Sequence, residues 1–178
     1  MIALTRILVP TDFSESAAAA LRYGVAFARA FHARLDLLHV AGRRDLEDIL
    51  EGERVVHALT DGPGEVRGVD PSDILHDAER QRLATLLTET EQRDLQTQYV
   101  LRVSESGGPY GEIVRYAVEQ DIDLIVMGSH GHGGVAHLLM GSVAEKMVRK
   151  APCPVLTVRH PEHEFVLPDI GDRAAPRG

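Results

Sequence analysis

The sequence predicts an α/β protein: a doubly wound, five-stranded parallel sheet with helices on both faces. Two observations predict it. Short apolar runs, RILVP (6–10), RLDLLHV (34–40), QYVLRV (98–103), DLIVM (123–127) and PVLTV (154–158), alternate with segments of helical periodicity. Those runs look apolar on both faces, as strands covered from both sides are. A chain alternating strand and helix pairs its strands in parallel, because each return crossover takes a helix.

The elements follow in order. RILVP ends at Pro10 and Asp12, which punctuate the first strand. Ser14 is placed to cap ESAAAALRYGVAFARAF (15–31), whose alanines, Leu21, Val25, Phe27 and Phe31 make its apolar face. RLDLLHV is the second strand. Residues 42–72 interrupt the rhythm, with a short helix placed in GRRDLEDILEGERVVH and loop in the Gly/Pro-rich DGPGEVRGVDPSD. The segment 73–93 reads as one amphipathic helix, with Leu75, Ala78, Leu83, Leu86 and Leu87 as the apolar set. QYVLRV is the third strand. YGEIVRYAVEQ (110–120) is helical, with Ile113, Ala117 and Val118 near i, i+4 spacing, and DLIVM is the fourth strand. SVAEKMVRK (142–150) is a helix with Ser142 near its start and Arg149 and Lys150 at its end, where cations suit the dipole. PVLTV closes the sheet as an edge strand. The domain is expected over 1–159, with 42–72 as an insert and 160–178 as a tail, disordered or a strap.

At 178 residues and 44% hydrophobic, one domain with ample core is the simplest expectation. A formal net charge of −8 argues against nucleic acid as a partner, since a phosphate-backbone binder needs a basic surface. A small anion is still allowed, because a few backbone N–H groups bind phosphate without net positive charge. No apolar run approaches the ~18 residues of a membrane span. The start, MIALTRILVPTD, is broken by Thr5, Arg6 and Asp12 and does not read as a secretory signal. The lone Cys153 cannot build a disulfide framework. A cytoplasmic protein without membrane contact is therefore expected. Cys153, between two prolines and without an activating His or acid beside it in sequence, reads as a small buried hydrophobe.

In an open parallel sheet the ligand site lies beyond the carboxyl ends of the strands, where strand order reverses. Two strand ends are chemically unusual: VPTDFS (9–14) and MGSHGHGGVAHLLMGS (127–142). The second fails as a Walker A loop, because Gly134 stands where lysine is required. Gly131, Gly133 and Ala136 half fit a G-x-G-x-x-A dinucleotide fingerprint, but no helix begins promptly and no acid ends the next strand. His130, His132 and His137 lack a Cys or acidic companion in the loop, so no metal site is expected there.

The remaining pattern is Gly128-x2-Gly131-x9-Gly141-Ser142, directly after DLIVM and followed by VAEKMVRKAPCPVLTVR. With ILVPTDFSESAAAAL and LDLLHV, it closely resembles the universal stress protein family. The resemblance spans about residues 4–41 and 97–159 in words and spacing, and 73–93 by position alone. It implies a Rossmann-like, adenine nucleotide alpha-hydrolase-like fold and a homodimer paired through the last strand, Val155–Val158. Members with the full glycine pattern resemble ATP binders, and this chain keeps every position of it.

The resemblance implies roles residue by residue. Asp12 accepts from the ribose hydroxyls; Val40 meets adenine through its backbone; Pro10, Thr11 and Met127 line that pocket. Gly128 and Gly131 let the backbone approach ribose and phosphates that a Cβ would block. Gly141 does so before a helix whose Ser142 and Val143 N–H groups point at phosphate. The Ser142 hydroxyl is a plain N-cap, a phosphate donor or both. Mg²⁺ with the nucleotide, held by Asp12 through the phosphates, is compatible with slow ATP hydrolysis at most. No Ser/His/Asp triad, carboxylate pair or Lys–Mg²⁺ arrangement is legible, so a regulatory stress-response module is expected over an enzyme. The rivals are a hydrolase or adenylyl transferase on the same scaffold, and a structural dimer with an AMP-binding or empty pocket.

This chain departs from many ATP-binding relatives at His132 and His137, where the resemblance puts Arg or Lys; His130 and His132 are the imidazoles assigned to the phosphate contacts. Neutral imidazole supplies less charge, which brings in AMP and ADP beside ATP. Nucleotide affinity is expected to rise as pH falls from about 7.5 to 6, because histidine protonates near pKa ~6.5. Calorimetry across that range checks this, and a flat profile refutes it.

Overall fold

The structure, a computed structural model, describes residues 2–42, 71–104, 108–131 and 140–160. The expectations for 43–70, for His132, Gly133, Gly134 and His137, and for the tail from 161 lie outside the described residues. The elements are β1 (Arg6–Thr11), α1 (Glu15–Phe31), β2 (Arg34–Gly42), α2 (Pro71–Ala84), α3 (Glu89–Asp94), β3 (Thr97–Ser104), α4 (Pro109–Glu119), β4 (Leu124–Gly128), α5 (Ser142–Lys150) and β5 (Val155–Val158). The strands form one parallel sheet in the order β3-β2-β1-β4-β5. The predicted fold is the observed one, and β5 is an edge strand.

Alternation along each strand divides the core into two layers. Ile7, Val9, Leu35, Leu37, Val126 and Val158 join α1 and the α2–α3 region on one face. Leu8, Leu38, Ile125 and Met127 join α4 and α5 on the other. The alanine-rich face of α1 lets the helix lie close to the sheet. Gly24 brings it closer still, since a Cβ there would run into Cγ2 of Val9. Ser14 caps α1 by accepting from the Ala17 N–H, and His32 ends it in the left-handed conformation.

Four details differ from the sequence reading. The segment 73–93 is two helices, not one. Thr88 starts α3 with a reciprocal capping box to Glu91. The Gln92 side chain donates to the Ala84 and Leu87 carbonyls across the break, and the Leu87 N–H also donates to the Ala84 carbonyl. From its apolar set, Leu83 and Leu87 are core, Ala78 and Leu86 are half-buried, and the side chain of Leu75 lies outside the described residues. On α4, Val118 is exposed and Tyr116 fills the inward position. On α1, Phe31 is exposed at the last turn. Ser142 is the first helical residue of α5, and Gly141 holds the cap position without a side-chain bond. Ser142 is therefore not the N-cap.

A buried polar network crosses the α4 face. The fully buried Asp36 accepts from Arg34 Nε and Nη2, both at 2.6 Å, and from the Tyr116 hydroxyl at 3.0 Å. The bonds to Asp36 hold the Arg34 guanidinium pKa above its ordinary value. Burial, then the adjacent Asp36 carboxylate, pushes the Tyr116 hydroxyl well above the usual phenol range. Cys153 is half-buried, and burial raises its thiol pKa, in keeping with an inert side chain.

Candidate functional site

β1 and β4 flank the point where strand order reverses, so a crevice belongs between their carboxyl ends. Their pairing explains how it opens. At the far end, Asp123 Oδ2 accepts from the Thr5 N–H, the Thr5 hydroxyl and the Arg6 N–H at 2.7, 2.7 and 3.0 Å. Burial raises that carboxyl's pKa, but these bonds outweigh it and hold it below the ordinary value. The β1–β4 ladder then runs through Ile7–Leu124 and Leu8–Ile125 and stops, whereas β1–β2 continues to Thr11. Pro10 has no N–H with which to extend a ladder. The two strands are pinned at one end and diverge at the other.

A cavity of about 450 Å³ occupies the divergence. That volume lies within the range of small-molecule sites. Pro10, Thr11, Asp12, Val40, Met127, Gly128, His130, Gly131, Gly141, Ser142 and Val143 all line it. His132 lies outside the described residues. The sequence reading missed Ala17, Leu38, Pro109, Ile113, Ser129 and Ala144, which complete the wall. Pro109 opens α4 after Gly108, whose φ of 68° favours glycine. A Gly-Pro pair before a helical pattern was the available signal.

Asp12 is held from within its own turn. Its Oδ1 accepts from the Ser14 N–H at 3.1 Å and from the Ser14 hydroxyl at 2.6 Å. Its Oδ2 faces Gly131, where an added Cβ would collide with that oxygen. Gly128 is glycine for a different reason. A Cβ there would lie 2.6 Å from Ser16 Oγ and 2.9 Å from the Ser16 carbonyl carbon, so it makes room for α1, not directly for a ligand. At Gly141 a Cβ would be 3.3 Å from the Ser129 carbonyl oxygen, and the Gly141 N–H donates to that same oxygen at 2.7 Å. This bond folds the start of α5 back onto the end of β4. The first N–H groups of a helix have no partner within the helix, and the residues that carry them here, Ser142, Val143 and Ala144, line the cavity. Thr11 uses its hydroxyl to accept from the Phe13 N–H, a turn contact at the cavity edge. Among the described lining residues Asp12 is the carboxylate and His130 the imidazole, and none is Lys or Arg.

Fold and site together define a doubly wound α/β protein with a cleft of small-molecule size at its switch point. The chain belongs to the universal stress protein family, whose model matches residues 3–159. It is similar to universal stress protein MJ0577 of Methanocaldococcus jannaschii, 32% identical over 156 residues covering 86% of this chain and 94% of the relative. The solved structure of MJ0577 superposes with a TM-score of 0.66 at 29% identity, covering 91% of this chain and all of that one, 100%. Universal stress protein YxiE of Bacillus subtilis is 29% identical over 154 residues, 86% of this chain and 98% of its own. A universal stress protein from Archaeoglobus fulgidus, solved in complex with dAMP, shares the fold with a TM-score of 0.53 at 21% identity, covering 89% and 99% of the two chains. Among the described residues, no helix is long and apolar enough to cross a membrane.

Proposed function

We propose that the cleft binds an adenine nucleotide, ATP or its AMP and ADP relatives, and that the protein acts as a nucleotide-dependent regulatory module in the stress response. The observation that carries this reading is the convergence of Asp12, the glycine pattern and the α5 N-terminus on one cavity at the switch point. In it, Asp12 Oδ2 accepts from the ribose hydroxyls, the apolar wall of Val40, Met127 and Ile113 takes adenine, and the α5 N–H groups take phosphate. With no Lys or Arg on the described wall, backbone dipoles and the histidines carry the anion, which favours AMP and ADP beside ATP. Mg²⁺ is compatible with Asp12 acting through bound phosphates, and hydrolysis is at most slow.

Mass spectrometry of the nucleotide that co-purifies tests the reading. Gly141→Trp is expected to abolish both co-purification and calorimetric binding, because the indole would enter the cavity beside Ser129 and His130. Failure of AMP, ADP and ATP to bind the natural chain would overturn it. Steady ATP turnover abolished by Asp12→Ala would instead favour the enzyme reading. The β5 edge supports a homodimer through Val155–Val158, since unpaired strand edges invite pairing. Light scattering checks this, and a clean monomer at micromolar concentration refutes it.

A further inference from the structure

Behind the cleft, on the opposite face of the sheet, lies a polar cluster that the nucleotide reading does not use. Phe13 follows Asp12 and holds a left-handed φ of 64°, which is costly for an aromatic residue. Its ring is covered on the outside. The His39 ring centroid lies 4.8 Å away, and the Arg82 guanidinium stacks 3.6 Å over the ring. His39 Nδ1 donates to the Thr11 carbonyl at 2.8 Å, and a carbonyl only accepts, so Nδ1 carries the hydrogen. Glu79 of α2 joins the two covering residues. Its Oε1 is 4.0 Å from His39 Nε2 and its Oε2 is 3.7 Å from Arg82 Nη1. Glu79 is 2% exposed, and its Oε1 has no hydrogen-bond donor among the described residues. A buried carboxylate with so little direct satisfaction is expensive for fold stability alone.

We propose that Glu79, through His39 and Arg82, clamps Phe13 in its left-handed turn and so positions Asp12 inside the cleft. These are positioning residues, and the inference rests on Asp12 being a nucleotide contact. The left-handed residue turns the chain between Thr11 and Ser14, and that turn lets Asp12 Oδ1 meet both Ser14 donors while Oδ2 faces Gly131. α2 thereby becomes a lever on the site from the far side of the sheet.

The test is a double-mutant cycle read by AMP and dAMP calorimetry, with amide exchange on the ligand-free protein. Glu79→Ala is expected to weaken AMP about tenfold in the natural background and less than about twofold with Asp12→Ala, as coupled residues do. Preference for AMP over dAMP is expected to fall with it. Glu79→Gln, which keeps the shape and offers an amide donor to His39 Nε2, is expected to retain most of the affinity. Exchange at the Phe13 and Ser14 amides is expected to rise in Glu79→Ala while that at Val9 stays protected. Equal loss of affinity in both backgrounds would overturn the clamp. If the natural chain binds no adenine nucleotide, the function reading fails separately. The exchange data then decide the clamp: faster exchange confined to Phe13 and Ser14 supports it, and unchanged or global exchange overturns it.

Discussion

Alanine at Gly128 is expected to destabilise the fold, and alanine at Gly131 to break binding. At Gly128 the new Cβ meets the Ser16 side chain and backbone, which cannot rotate away. Overpacking of this kind costs about 1–3 kcal/mol, and for a chain of this size roughly 2–4 °C of thermal midpoint per kcal/mol. At Gly131 the Cβ meets Oδ2 of Asp12, the far end of a side chain and not backbone. The Gly131 backbone is not in the left-handed region, so alanine carries no conformational penalty. Asp12 is expected to swing aside at the expense of its Ser14 contacts, about 0.5–1.5 kcal/mol in stability. Losing its charged hydrogen bonds to a ribose would weaken nucleotide about 10–100-fold, from the ~1.5–3 kcal/mol such bonds contribute. Thermal melts and calorimetry on the two variants check this. The division of labour is refuted if both substitutions shift the melt equally, or if Gly131→Ala binds normally.

Arg34→Met is expected to cost about 3 kcal/mol, near the lower end for breaking a buried ion pair because Arg34 is partly solvated. The substitution leaves the Asp36 carboxylate fully buried with the Tyr116 hydroxyl as its remaining partner in that network. Chemical denaturation measures the loss. The same network gives an alkaline signature. The Tyr116 pKa is raised in the fold, so its contribution is fully present below the ordinary tyrosine value near ~10 and is lost as pH climbs beyond it. Tyr116→Phe is expected to reduce that slope. Tyr99, also raised by burial, retains a share of it. An unchanged alkaline slope in Tyr116→Phe would refute the assignment.

Local chemistry was legible in the sequence, and distant partners were not. The strands, α1 with its Ser14 cap, and the ends of α4 and α5 follow from periodicity and punctuation, because those signals act within a few residues. The α2–α3 break was also readable, since Thr88-x-x-Glu91 is a capping-box signature inside an apolar pattern that otherwise runs on. The charged Asp36 in the middle of RLDLLHV, two residues from Arg34 and so on its face, was an available signal of a buried pair that the sequence reading did not use. The reason for Gly128 was not readable. Its partner, Ser16, comes from the other end of the chain, and only the packed α1–β4 contact brings them together. Tyr116 displaces Val118 from the inner face for a related reason: its hydroxyl has Asp36 to bond, which no count of helical spacing contains. The six missed wall residues are mostly apolar or small, and such residues reveal a binding role only once a cavity exists.

The central position of β1 also sets a timetable for the nascent chain. β1 meets β2 within the first 42 residues, but its other neighbour, β4, begins at Leu124. Ribosomes add ~5–20 residues per second, so the apolar edge of Ile7–Val9 waits roughly 4–16 s for its partner strand. During that interval the emerging half-sheet is sticky along the very edge that later opens into the cleft. Slowing translation between residues 42 and 124 should therefore raise dependence on holding chaperones during synthesis.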